Sequence, residues 1–317
     1  MRFRTTRRIL AINGSTSLSI GRAMTLWSLA ACAVLTCVAA DAMAQTVTVE
    51  GGISGRAGAD RKPGGNPADA IVVGPEEFRR AEVAVRRKIL AGWEAVAKIE
   101  DRAILPLLES ALPDPDRIVR LHAFRTLLKI ENAANFGRLK KQTVSVDPSS
   151  RPSLLNAILE LLKHADAETR GNGATLLLVH EHPLSRRSEL ALLDALTAER
   201  NPMAKAKMLM VLGPAAGGGS DAARAQIVAA LNETEHTTVK AQALLLSGRF
   251  SILEALPQAV NALSSEDKGV RLAAASSLLA TRANVATYCA EFTARLAGES
   301  DAEIKAKLRQ LAALRCP

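Results

Sequence analysis

A basic residue returns six times in one frame of this chain, at Arg120, Arg170, Lys205, Lys240, Arg271 and Lys305, with steps of 50, 35, 35, 31 and 34 residues. Four residues before each stands a polar residue: Asp116, Asp166, Asn201, His236, Asp267 and Asp301. Three, seven and eight residues after each, the side chains are mostly small or aliphatic, as at Ala123, Leu127 and Leu128 or Ala274, Leu278 and Leu279. Self-similarity at such a period marks an array of supersecondary units. Each unit is too small to bury its own apolar stripe, so it must stack on its neighbours.

Each unit reads as a helix pair. Ile104, Leu105, Leu107, Leu108, Ala111 and Leu112 recur at helical spacing and stop at the helix-breaking segment Pro113, Asp114, Pro115, Asp116. Asp116 suits the cap of the next helix, where its carboxylate accepts orphan N–H groups and meets the positive end of the helix dipole. That second helix carries Val119, Ala123, Leu127 and Ile130 inward. The fifth unit repeats the grammar with Ala259, Val260, Ala262 and Leu263, then Asp267, then Val270, Ala274 and Leu278. The basic ladder is expected to pair with capping carboxylates of the same or the next unit. Two units look looser, with Ala204 where Val is usual and with Ser247 and Gly248 where Leu is expected.

The pattern resembles the HEAT-like repeats. Residues 116–128 (DRIVRLHAFRTLL) and 267–279 (DKGVRLAAASSLL) carry the resemblance, residues 166–178 (DAETRGNGATLLL) and 301–313 (DAEIKAKLRQLAA) more loosely, and it covers roughly residues 103–315. It implies an all-α fold: a right-handed α-solenoid of about six HEAT-like helix pairs with an N-terminal capping helix. Residues 75–98 read as that cap, since Arg86 lies 34 residues before Arg120. Residues 131–152 read as a polar insertion loop that accounts for the long first step.

The N-terminus reads as an export signal. Arg2, Arg4, Arg7, Arg8 and Arg22 precede an apolar run over 23–40, and Ala42, Met43 and Ala44 supply the small residues of a cleavage site before Gln45. Residues 1–44 are then a signal peptide, 45–70 a Gly-rich disordered linker and 71–317 the repeat domain. An uncleaved anchor over 23–40 and a lipidated Cys32 remain open, and are the only expected routes to a membrane. Removing the leader takes away five arginines and one acid, leaving 36 basic and 31 acidic residues, a net of +5. That mild excess and the scarcity of aromatic residues argue against nucleic acid. Cys289 and Cys316 remain in the last unit as a disulfide candidate in an oxidising compartment, with two separate thiols as the rival reading.

Catalytic motifs are absent from the sequence. There is no Gly-rich phosphate loop, no Gly-x-Ser-x-Gly elbow and no His-Glu-x-x-His pair. His180, Glu181 and His182 form one cluster of potential ligands, read as a helix-terminal surface group, so no cofactor and no metal are expected. Deoxyhypusine hydroxylases, which share HEAT-like repeats, hold di-iron on several His-Glu pairs. Only His180-Glu181 matches here, and neither that activity nor the chemistry of bilin lyases carries over. In resembling proteins the second helices line a concave surface, which here implies an interaction face of His122, Arg125, Asn172, Thr175, Lys207, Met210, Gln242, Ser276, Lys307 and Gln310. The expected function is a non-catalytic, periplasmic or secreted scaffold that binds a protein or peptide of the envelope. The alternative is an enzyme or enzyme-maturation factor, lyase-like, with its site in the same groove.

Overall fold

The computed structural model describes residues 73–96, 104–139, 152–233 and 236–316, without the side chains of 96 and 132–139. The leader, its cleavage after Ala44 and the linker over 45–70 lie outside the described residues. Among the described residues the chain is all-helical, with fourteen α-helices and no strand. The first seven are α1 (Pro75–Arg80), α2 (Val83–Val96), α3 (Leu105–Ala111), α4 (Arg117–Leu139), α5 (Pro152–Leu161), α6 (Ala167–His180) and α7 (Arg186–Ala198). The others are α8 (Pro202–Gly217), α9 (Asp221–Leu231), α10 (Thr237–Arg249), α11 (Leu256–Ala262), α12 (Lys268–Ala280), α13 (Cys289–Gly298) and α14 (Ala302–Arg315).

Helix starts follow the polar frame residue. The side chains of Asp166, Asn201, Asp267 and Asp301 accept backbone N–H groups of the first turns of α6, α8, α12 and α14, and Asp116 accepts from Val119 N at 3.0 Å. Such caps contribute about 1 kcal/mol each. His236 departs from the pattern: α10 begins after it without a side-chain cap. Two further expectations change. Residues 75–98 are not one helix but the pair α1 and α2, broken at Ala81, whose backbone is extended. The segment 131–152 is not all loop, because α4 runs on to Leu139, through residues that include no proline.

Packing sorts the helices into two rows. Each even-numbered helix from α4 to α14 packs on the even-numbered one before it, and α1, α3, α5, α7 and α9 follow one another in the same way. From α3 onward each odd helix also packs on the even helix that follows it. The apolar positions of both rows meet between them: Leu108, Leu127, Ile158, Leu177, Leu192, Leu209, Ile227, Leu244, Leu278 and Phe292 are fully buried.

Small residues set how closely even helices approach. A Cβ on Gly171 would lie 3.3 Å from Ala204 Cα, so the glycine accepts the alanine that stands where Val is usual. On Gly248 a Cβ would fall on the backbone of Ser277, 2.7 Å from its carbonyl carbon, and Ser247 Oγ and Ser277 Oγ share a buried hydrogen bond of 3.2 Å. The two units expected to be loose are therefore held by close backbone approach. Phe250 fills the space left by Gly213, where a Cβ would sit 2.6 Å from its ring.

Ala123, Ala243 and Ala274, all at the third position after the basic residue, are fully buried, whereas Gln242 is half-buried. Ala274→Leu should overpack the interior and cost about 1–3 kcal/mol. Gln242→Ala should stay within about 0.5 kcal/mol. Urea unfolding of the two variants compares the positions, and equal effects would refute the register.

Candidate interaction face

The basic ladder is mortar between units rather than display. Arg86 pairs with Asp114 at 2.9 Å, Arg120 with Asp166 at 3.3 Å, Lys205 with Glu233 at 3.1 Å and Arg271 with Glu299 at 2.9 Å. Arg170 is the fullest example: Nε and Nη2 donate to the two oxygens of Glu199 at 2.6 and 2.7 Å, and Nη1 donates to the carbonyls of His164 and Ala165, both at 2.8 Å. Arg120 and Arg271 repeat the double carbonyl contact, to Asp114 and Pro115 and to Ser265 and Glu266. The guanidinium thus ties the turn of its own unit to an acid of the next. Among the described residues no acid pairs with Lys240, and Ser265 stands two residues before the next cap, where Asp114, Glu199 and Glu299 stand in other units.

The partner acids escape a reading confined to the capping position. Asp114, Glu199 and Glu299 stand two residues before a cap and accept its N–H: Asp116 N to Asp114 at 2.8 Å, Asn201 N to Glu199 at 2.8 Å and Asp301 N to Glu299 at 2.9 Å. A signal was present, because these acids follow their basic partners by 28 or 29 residues.

Electrostatics follow the pairing. The hydrogen bond from Arg87, with those from Val119 and Ile118, holds the Asp116 carboxyl down at about 2. Arg271 lowers Glu299 and Lys268 lowers Asp301. For Asp166 and Glu199 burial pushes upward but is outweighed, by Thr169 and Arg120 in one and by Arg170 and backbone N–H groups in the other. A carboxyl depressed in the folded state stabilises fully above its unfolded pKa, near 4, and loses that contribution as pH falls through the folded value. The urea midpoint should therefore stay level from about pH 7 to 5 and fall between about pH 4 and 2. A midpoint that rises on acidification would contradict the pairing.

Second, fifth and ninth positions after the basic residue share one side of an even helix, 140–200° around its axis at the helical period of about 100° per residue. On α4 these are His122, Arg125 and Lys129. His122 Nδ1 donates to Glu94 Oε2 at 2.5 Å, Arg125 lies 3.7 Å from Glu94, and Lys129 Nζ donates to Glu94 O at 3.1 Å. On α6 and α8, Lys207 Nζ donates to Asn172 Oδ1 at 3.2 Å. Met210, Gln242, Ser276 and Lys307 are half-buried and Gln310 is exposed. His122 and Arg125 thus bridge α4 to Glu94 of α2, and Lys207 bridges α8 to Asn172 of α6. Thr175 does not belong to a displayed face: it is 5% exposed and its hydroxyl donates to Gly171 O at 3.0 Å, because α4 and α8 close over α6. Leu245 and Leu314 share the stripe, 44% and 66% exposed. They escaped a reading that sought polar side chains.

His180 also departs from its expected surface position. It is 4% exposed, with Nδ1 3.8 Å from Glu131 Oε2, itself buried; neither ring nitrogen has a hydrogen-bond partner among the described residues. Glu181 is buried beside it in sequence and His182 is exposed. No group of three His, Cys, Asp or Glu among the described residues is placed to hold a metal ion. At the other end of the chain, Cys289 and Cys316 form a disulfide with Cα atoms 5.7 Å apart, joining the start of α13 to the end of α14. The groove beside it, lined by Ala290, Thr293, Ala294 and Ala297, carries no titratable group. No helix among the described residues is long and apolar enough to cross a membrane.

The class reached from fold and site is an all-α protein whose helices form two packed rows. No family model matches the chain, and no curated protein matches it either.

Proposed function

We propose that the two rows are an α-solenoid of HEAT-like pairs and that the protein is a non-catalytic, protein-binding scaffold of the cell envelope. One observation carries this reading. The accessible side chains of the even helices, from His122 to Gln310, are chemically mixed and spread over successive units instead of converging on one point. A distributed face of that kind suits a long partner surface, whereas chemistry needs titratable groups gathered in one pocket.

Pull-down from an envelope fraction with the wild-type chain, read by mass spectrometry, tests it. Specific enrichment of one or a few envelope proteins is expected; recovery no different from an unrelated bait would remove the reading. Export is part of the proposal, supported by the order of arginines, apolar run and Ala44, and by a disulfide that suits an oxidising compartment. Intact mass of the periplasmic protein should place its first residue at Gln45, and a mass that includes residues 1–44 or a lipid on Cys32 would refute that site.

The second reading, an enzyme or maturation factor, draws on the buried pair of His180 and Glu131. About one zinc or iron per folded chain by elemental analysis would favour it over the scaffold.

A further inference from the structure

Charge is divided between the two rows. The even helices contain 19 Lys and Arg against four acids, and the odd helices six against eight. Much of the even-row excess is spent between units, where Arg86, Arg120, Arg170, Lys205 and Arg271 meet carboxylates. What reaches the accessible stripe keeps the same sign. At its second, fifth and ninth positions stand Lys88, Arg125, Lys129, Lys207, Arg249 and Lys307, and no carboxylate occupies any of these positions from α2 to α14. Glu94 borders the stripe beside His122 and Arg125.

We infer that this stripe binds an extended, acidic segment of a protein partner. The inference rests on the scaffold reading and adds the chemistry of what is held. Three features favour a peptide. Packed helices lie about 8–10 Å apart and an extended chain rises about 3.3 Å per residue, so every third residue of such a segment meets the next even helix. Met210, Leu245 and Leu314 interleave the cations, matching apolar side chains set between acids. The stripe has no Phe, Tyr or Trp on which successive bases could stack. The chain's own segment 45–72 is not the occupant by charge, for Glu50, Asp60 and Asp69 are balanced by Arg56, Arg61 and Lys62.

Fluorescence anisotropy of a labelled synthetic peptide of repeating Glu-Gly-Leu, about eighteen residues long and so ~60 Å when extended, tests the inference. The full mature chain should bind it saturably, and not the counterpart with Lys for Glu. The variant Lys129→Glu/Arg249→Glu/Lys307→Glu should bind at least about tenfold more weakly, while Arg80→Glu/Arg186→Glu/Arg295→Glu on the odd helices should bind as wild type, since sign complementarity acts locally. Circular dichroism and the urea midpoint establish that both variants fold. Absence of saturable binding, equal losses in the two variants, or tighter binding of an oligothymidylate of the same charge would overturn it. The pull-down separates this from the parent reading. A partner captured equally by wild type and by the stripe variant leaves the scaffold standing and removes the stripe, whereas no captured partner removes the scaffold.

Discussion

Gly248→Ala is expected to destabilise the protein by about 2–3 kcal/mol, against the ordinary gain of placing alanine in a helix. The added methyl has nowhere to go: its nearest neighbours are the backbone atoms of Ser277, which a rotamer change does not move. Helices α10 and α12 must separate, and that parts the buried Ser247–Ser277 hydrogen bond. Gly92→Ala is the matched comparison, because nothing lies within 4 Å of the position a Cβ would take in α2. There the same substitution should stabilise by roughly 0.5–1 kcal/mol through helix propensity and the lost entropy of the unfolded chain. Urea unfolding of both variants reads the difference. Two shifts of the same sign would mean that close backbone approach does not hold these units together.

Arg170→Ala should cost about 2–3 kcal/mol, again by urea unfolding. Its loss strands the Glu199 carboxylate, 5% exposed, and removes the donor to the His164 and Ala165 carbonyls. The stranded charge dominates, since an unpaired buried carboxylate is costly whereas the carbonyl of exposed Ala165 can turn to water. Arg117 pairs with Glu168 at 2.7 Å, but both side chains are more than a third exposed. Arg117→Ala should therefore change stability by no more than about 1 kcal/mol. Equal losses would show that Arg170 contributes only a surface ion pair.

The disulfide between Cys289 and Cys316 matters to both measurements, because it closes the last unit only under oxidising conditions. Both variants are therefore best compared in the oxidised protein.

The candidate face was partly legible before the structure. Asn172 and Lys207 do meet across adjacent even helices, since a shared frame places equal positions side by side, whereas His122 and Arg125 meet Glu94 of α2. Thr175 obeyed the same periodicity and is nevertheless covered, because the neighbours of α6 close over that point. The place of His180 before Pro183 suggests an outward side chain, yet it lies inward, 3.8 Å from Glu131. Periodicity gives the angle of a side chain around its own helix but not the depth of the helix beside it.

Local chemistry determined the helices, their starts at Asp116, Asp166, Asn201, Asp267 and Asp301, and the buried alanines at 123, 243 and 274. The helices and their starts depend on residues within a turn or two, and the inward angle of the alanines on the helical period, so the chain alone specifies them. Tertiary structure decided which acids the ladder meets and how near Gly248 comes to Ser277. Those outcomes join residues about 30 or more positions apart, and their geometry exists only once one unit has packed on the next.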